Sequence, residues 1–236
     1  RSLVPDADAG ASELGPKSRS LVLDALRDNS TLWRDNETLN DKSVADLVVP
    51  PIFLPEPHDQ YATNAVLNSE KDKPIPVDLS DKIQEGGIIL IAGEESSGVS
   101  TAVNFCLTRA LDLRPNSHVL LVAEPMVSGA NPVTRVVDRS YRSWGLESPS
   151  EEIRRRMALG IDNLRFDEST RFDRAMEDIA DSVAQLKVIG VRQNDAVDIA
   201  NLLKERTGLD VTVVYLGRFS NVEARELARR VAPGRE

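Results

Sequence analysis

The chain of 236 residues is poor in cysteine, histidine, aromatics and, over a long central stretch, lysine, and each scarcity closes off a class of protein. Cys106 stands alone and cannot form an internal disulfide. With only His58 and His118 beside it there are too few soft ligands for a structural zinc site. Any metal here is expected to be a hard cation held by oxygens. No run approaches the roughly 18 consecutive apolar residues of a spanning helix, and the N-terminus lacks the charged-then-apolar pattern of a signal peptide. The expectation is a soluble protein without a membrane partner, with the cytoplasm as its default address. Positive charge is in deficit as well. Asp and Glu number 38 against 29 Lys and Arg, a formal net charge of -9 spread along the chain, which argues against a broad nucleic-acid footprint. The basic run Arg154 to Arg156 reads as a solvated helix face.

What is present is an ordinary apolar content of 41%, enough for a globular core. Residues 1–45 are polar and rich in Asp, Ser and Asn, with one short helical stripe of Leu21, Leu23, Leu26 and Trp33, and read as an arm or linker. A start at Arg1 rather than Met suggests a segment of something longer. In the stretch VADLVVPPIFLPEPHDQY, Pro50, Pro51, Pro55 and Pro57, with Pro74 and Pro76 further on, exclude regular helix or central strand, so extended, docked chain is expected. From residue 86 the pattern becomes regular. Five short apolar runs, 88–92, 118–123, 157–161, 187–191 and 211–216, are bounded by turn residues and read as buried strands. The segments between them, about 12 to 25 residues long, have the spacing of strand-crossover-strand units, hence an α/β fold with a parallel sheet covered on both faces. In the first of these helices Val103, Cys106, Leu107, Ala110 and Leu111 recur at helical spacing, which makes Cys106 core rather than nucleophile. Ser148 with Pro149 and Glu151, and Ser220 with Glu223, have the form of helix N-caps. Asn194 or Asp195 can cap a helix that Gly208 closes.

In an open parallel sheet, ligands collect beyond the carboxyl ends of the strands. After the first run comes GEESSGVST: Gly93, Glu94, Glu95, Ser96, Ser97, Gly98, then Val99, Ser100 and Thr101. This fits G-x-x-x-x-G-K-[ST] except at the lysine, where Val99 stands. Two glycines let the backbone wrap tightly, the N–H groups and the following helix start attract phosphate, and a hydroxyl at Ser100 is where a magnesium ligand belongs. The same pattern also fits a plain strand-turn-helix, and Glu94 and Glu95 bring negative charge that opposes an anion. After the third run comes Asp162, which can hold magnesium through water or form a turn, followed by Asn163, which can orient a water but cannot take its proton. Arg192 ends the fourth run, placed either to sense a γ-phosphate or to pair with a nearby acid. Arg218 follows the fifth.

In this order the features resemble the P-loop NTPase core of the STAND class, relatives of AAA+ ATPases used as signalling and defence switches. The likeness covers about residues 46 to 230 and is carried by VVPPIF, GEESSGVST, MALGIDNL, KVIGVR and VTVVYLGRFSNVEARELA. It implies a three-layer sandwich around a mainly parallel five-stranded sheet in the order 5-1-4-3-2, occupying 46–236 with a lid beginning after about 220. It makes Gly93 to Thr101 the phosphate loop, Ser100 and Asp162 the magnesium side, and Arg192, with Asp162 and Asn163, the catalytic set. ATP or ADP with magnesium is the cofactor it implies, and other domains of the same chain or further copies of it are the partners. Val99 and Asn163 depart from the family pattern. The lysine's charge-assisted contact is worth on the order of 1.5 to 3 kcal/mol, so its loss should weaken binding by roughly 10- to 150-fold and hydrolysis by more. No lysine occurs between Lys82 and Lys187, so a replacement charge would have to come from an arginine such as Arg192 or Arg218, or from a partner. The readings that follow are a switch domain with weak or absent ATP hydrolysis, a pseudo-NTPase scaffold for oligomerisation or partner docking, or a binder of another phosphorylated ligand.

Overall fold

A computed structural model describes residues 49–57, 75–114, 116–122, 131–143, 147–166 and 169–218, together with positions 20, 225, 226 and 229. The stripe in the arm, His58, the Ser220 cap and all but three positions of the expected lid lie outside these residues. In chain order the elements are β1 (Phe53–Leu54), α1 (Ser80–Glu85), β2 (Gly87–Gly93), α2 (Val99–Leu113), β3 (His118–Val122), α3 (Pro132–Ser143), α4 (Glu151–Arg155), β4 (Met157–Leu164), α5 (Thr170–Asp181), β5 (Leu186–Arg192), a 3-10 turn (Gln193–Asp195), α6 (Ala196–Thr207) and β6 (Val211–Leu216).

The strands form one sheet in the order β1-β6-β2-β5-β4-β3, parallel except for β1, which runs antiparallel to β6 at the edge. Strand count and written order therefore differ from the five strands expected. The extra strand is the two residues between the proline pairs. An edge position suits a proline-rich segment because only one side of the strand must supply ladder hydrogen bonds. Two flanking bonds fasten it: the amide of Val77 donates to the carbonyl of Phe53, and that of Gly217 to the carbonyl of Ile52, each at 2.8 Å. Without this edge strand, the five parallel strands numbered among themselves run 5-1-4-3-2.

Alternation along β2 divides the core. Ile88, Leu90 and Ala92 enter the layer formed with α3, α5 and α6, and Ile89 and Ile91 the layer formed with α1 and α2. Strands covered on both faces read as continuous apolar runs, which is why β2 to β5, largely buried, and β6, partly buried, were all visible in the sequence. Helix α2 lies close on the sheet because β4 and β5 offer glycines beneath it. A methyl group added at Gly190 would stand 2.7 Å from a Val99 methyl, and one at Gly160 would collide with Leu107. That approach sets the start of α2 beside the tips of β2, β4 and β5. Cys106, on the same face, is fully buried and its thiol is pushed up to about 12 by that burial, in keeping with a core role.

Three local expectations are corrected. Helix α4 is capped by Ser150, whose hydroxyl accepts from the Ile153 amide at 3.3 Å, not by Ser148; Pro149 precedes the helix with its carbonyl engaged by Arg154. Asp195 caps nothing with its side chain, because its carboxylate accepts from the Phe166 amide at 3.2 Å. In the Arg154–Arg156 run, Arg155 and Arg156 are solvated, but Arg154 is half-buried and pairs with Asp138 of α3 at 2.6 Å. Gly208 does close α6, in the left-handed conformation at φ 67°.

Several polar groups are interior. Asp178 of α5 accepts from the amides of Val133 and Thr134 and from the Thr134 hydroxyl, and so caps α3 from a neighbouring helix. At the start of β3, His118 shares a hydrogen bond of 3.1 Å with the Tyr141 hydroxyl; burial, aided by the charge of Arg156, holds its imidazole below the ordinary range. Lys187, at the start of β5, is buried, and desolvation lowers its pKa against the opposing effect of Asp181. Among the described residues no helix is long and apolar enough to cross a membrane.

Candidate functional site

The loop between β2 and α2 is tight and reaches unusual backbone conformations. Ser96 has φ 62° and Gly98 φ 93°, and the Ser97 amide donates to the Glu94 carbonyl at 3.1 Å to close a turn. Gly93 is required by close approach, since a methyl group there would strike the Ser97 hydroxyl and lie 2.7 Å from Val99. Gly98 caps α2 without a side-chain hydrogen bond, and no acid lies in the first turn. The amides at that helix start are thus left to solvent or to an anion.

Each expected site residue can be placed. Glu95, Ser96, Ser97 and Gly98 are exposed on the loop, and Thr101 is exposed on the first turn of α2. Val99 turns inward, its methyl groups resting against Gly93 and Gly190, so the side chain in the lysine position fills the gap between the tips of β2 and β5. Ser100 donates its hydroxyl to Asp162 Oδ1 at 2.8 Å, which ties the start of α2 to the tip of β4. Asn163 follows at φ 56°, where β4 and β5 slip register between Ile161 and Leu164. Arg192 is the ladder partner of Gly93 at the end of β5 and is exposed. The structure thus gathers Gly93 to Ser100, Asp162, Asn163 and Arg192 at one end of the sheet, and leaves Thr101 out of the hydroxyl–acid pair.

The donor set is of the kind magnesium takes, a hydroxyl oxygen at Ser100 and a carboxylate at Asp162 that can act through water. In this structure the two are joined by a hydrogen bond of ordinary length, 2.8 Å, so a magnesium ion would have to displace that proton. Water and phosphate oxygens would have to supply the other positions, since no group of three or more His, Cys, Asp or Glu able to hold a metal occurs among the described residues.

Two further features stand at this end, one of them, Arg218, named above only as a possible replacement charge. Asn104, fully buried one turn into α2, donates its side-chain amide to the Ser100 carbonyl at 2.9 Å, while its side-chain Oδ1 has no hydrogen-bond partner among the described residues. Arg218, just beyond β6, reaches Glu94 of the loop with one nitrogen 3.4 Å from each carboxylate oxygen. Arg218's position after the last apolar run hinted at this, because tips of neighbouring parallel strands finish together; Asn104 gave no signal among polar helix residues.

No protein-family model matches the chain, and no curated protein does. Among solved structures, the RuvB Holliday junction branch migration motor of Thermotoga maritima aligns over 73% of this chain and 49% of its own, at 16% identity and a TM-score of 0.38. Rif2, in a complex with the C-terminal domain of Rap1, aligns over 92% of this chain and 65% of its own, at 10% identity and a TM-score of 0.42. The chain thus spans about half of the first structure's length and just under two thirds of the second's. Likeness of this degree says nothing about activity.

Proposed function

We propose that the chain is a nucleotide-binding-type domain of the P-loop kind, related to the AAA+ and STAND switches. In this reading it takes a nucleotide with magnesium at the tips of β2, β4 and β5 and hydrolyses it weakly or not at all. The observation that carries the reading is the 2.8 Å contact between Ser100 and Asp162, which joins loop hydroxyl and strand-tip acid at an uncapped helix start. The order of the five parallel strands supports it. Impaired hydrolysis follows from Val99, which contributes no charge, and from Asn163, which orients water without accepting its proton. A role as the switch of a larger signalling or defence protein, acting through other domains of the chain or through further copies, completes the proposal.

Calorimetric titration with ADP and ATP in the presence of magnesium tests both halves. Weak binding with turnover below the roughly 10⁻⁴ to 10⁻² per second of unassisted P-loop switches is expected. Turnover at or above that range would overturn the impaired-catalysis half. A second reading, a scaffold that keeps the loop only for its shape, is favoured by the packing of Val99 between Gly93 and Gly190, which holds the loop without a ligand. A thermal-shift series with ATP, ADP and GTP that gives no stabilisation would select it.

A further inference from the structure

We infer that Arg218 supplies the positive charge that Val99 withholds, and that Glu94 keeps it at the loop until a phosphate displaces the carboxylate. This rests on the nucleotide reading above and names the residue that would bind the phosphate.

The backbone places Arg218 for this task. Strand β6 runs beside β2 with Tyr215 opposite Ala92, so both strands end together. A methyl group at Gly93 would touch Leu216 at 3.4 Å, and Gly217 is held by its amide bond to the Ile52 carbonyl and by close packing on Ile52. The next residue therefore emerges beside the loop in a fixed direction. One guanidinium nitrogen already lies within reach of both oxygens of a carboxylate, and the second is left to complete the two-pronged contact with which arginine binds phosphate. The grip is loose: both distances are 3.4 Å, and the two side chains are 65% and 53% exposed. Such pairs contribute little to stability, so exchange for a multiply charged phosphate costs the fold little. Two other cations, Lys187 and Arg192, are less well placed. Lys187 is buried at the start of β5, the opposite end of that strand from the loop. Arg192 lies across β2 from Arg218, on the side where the resemblance already assigns it a sensing role.

The test is calorimetric titration of magnesium-ADP and of inorganic pyrophosphate into the whole chain and into R218A, R218K, E94Q, the E94Q/R218A double variant and V99K. Because Arg218 and Glu94 are exposed, the variants at those positions should fold; thermal melting checks this for them and for V99K, whose site is packed. R218A is expected to weaken both ligands about tenfold, R218K to recover part of the loss, and E94Q to tighten both. The decisive comparison is the double variant. If Arg218 binds phosphate, it falls at least tenfold below E94Q; if Arg218 merely masks Glu94, the two bind alike and the inference is overturned. Unaltered binding by R218A also overturns it, while leaving the nucleotide site intact. Binding by V99K alone would show that no arginine replaces the lysine. Absence of binding in every protein, V99K included, would remove the site itself and the inference with it.

Discussion

The two ends of the parallel sheet treat their polar groups in opposite ways. At the starts of β3 and β5, His118 and Lys187 are only 5% and 4% exposed, and the imidazole spends its hydrogen bond on Tyr141 inside the core. At the tips of β2, β4 and β6, Glu94 and Arg218 face solvent through a loose pair, and Asp162 is half-buried and accepts from the Ser100 hydroxyl. Polar groups at the first end are part of the packing and cost free energy to desolvate. Those at the second are held in place yet remain able to change partners, as a binding site requires. Between these extremes, Asp178 shows what full satisfaction looks like, with three donors on one carboxylate.

The largest effect should come from breaking the interior set. Asp178→Ala leaves buried amides at the start of α3 without an acceptor and is expected to destabilise the protein by about 3 kcal/mol in urea denaturation, with Asp178→Asn recovering part of it. Next comes restoration of the missing charge at the tips. Val99→Lys should tighten magnesium-ADP by roughly 10- to 150-fold in calorimetry, a contact worth about 1.5 to 3 kcal/mol. No gain from Val99→Lys together with no loss from Arg218→Ala would mean that the loop is not a phosphate site.

A smaller change is expected at the other end. Lys187→Met removes a buried ammonium and should stabilise the protein at pH 7 by about 1 kcal/mol. The effect has a pH signature. Burial holds the folded-state pKa of Lys187 below its ordinary 10.5, so the unfolded chain binds the proton more tightly. The penalty in the parent protein is complete below the folded value and fades as pH rises toward 10.5, so the gap between parent and variant should close there in paired melting curves. The smallest effect belongs to the loose pair. Arg218→Ala should move stability by no more than about 0.5 kcal/mol, because both partners are exposed. A larger loss would mean that the two ends of the sheet do not differ as described.

How much could be read from the chain follows the range of the forces involved. The five parallel strands, the glycine-bounded loop and the core position of Cys106 were legible because alternation, apolar runs and turn residues act over a few neighbouring positions. Strand β1 was not, since prolines on either side hide two residues that pair only when β6 supplies an edge. The cap at Ser148 was misread because the motif shows who can cap and not which neighbour arrives first; Asp195 does hold the N-cap position of α6, but its carboxylate met the Phe166 amide instead of the helix's own. Arg154 looked solvated until Asp138 of another helix stood beside it.

By itself the sequence determined the α/β class, the parallel strands and a phosphate-loop outline without its lysine, since each depends on local periodicity and on residue types at short spacing. Only the tertiary structure decided that Ser100 meets Asp162 across 62 positions, that Arg218 meets Glu94 across 124, and that Val99 is wedged between Gly93 and Gly190. Those contacts form where crossover connections bring strand tips side by side. Which tips become neighbours is set by the order of the whole sheet, not by any stretch of chain.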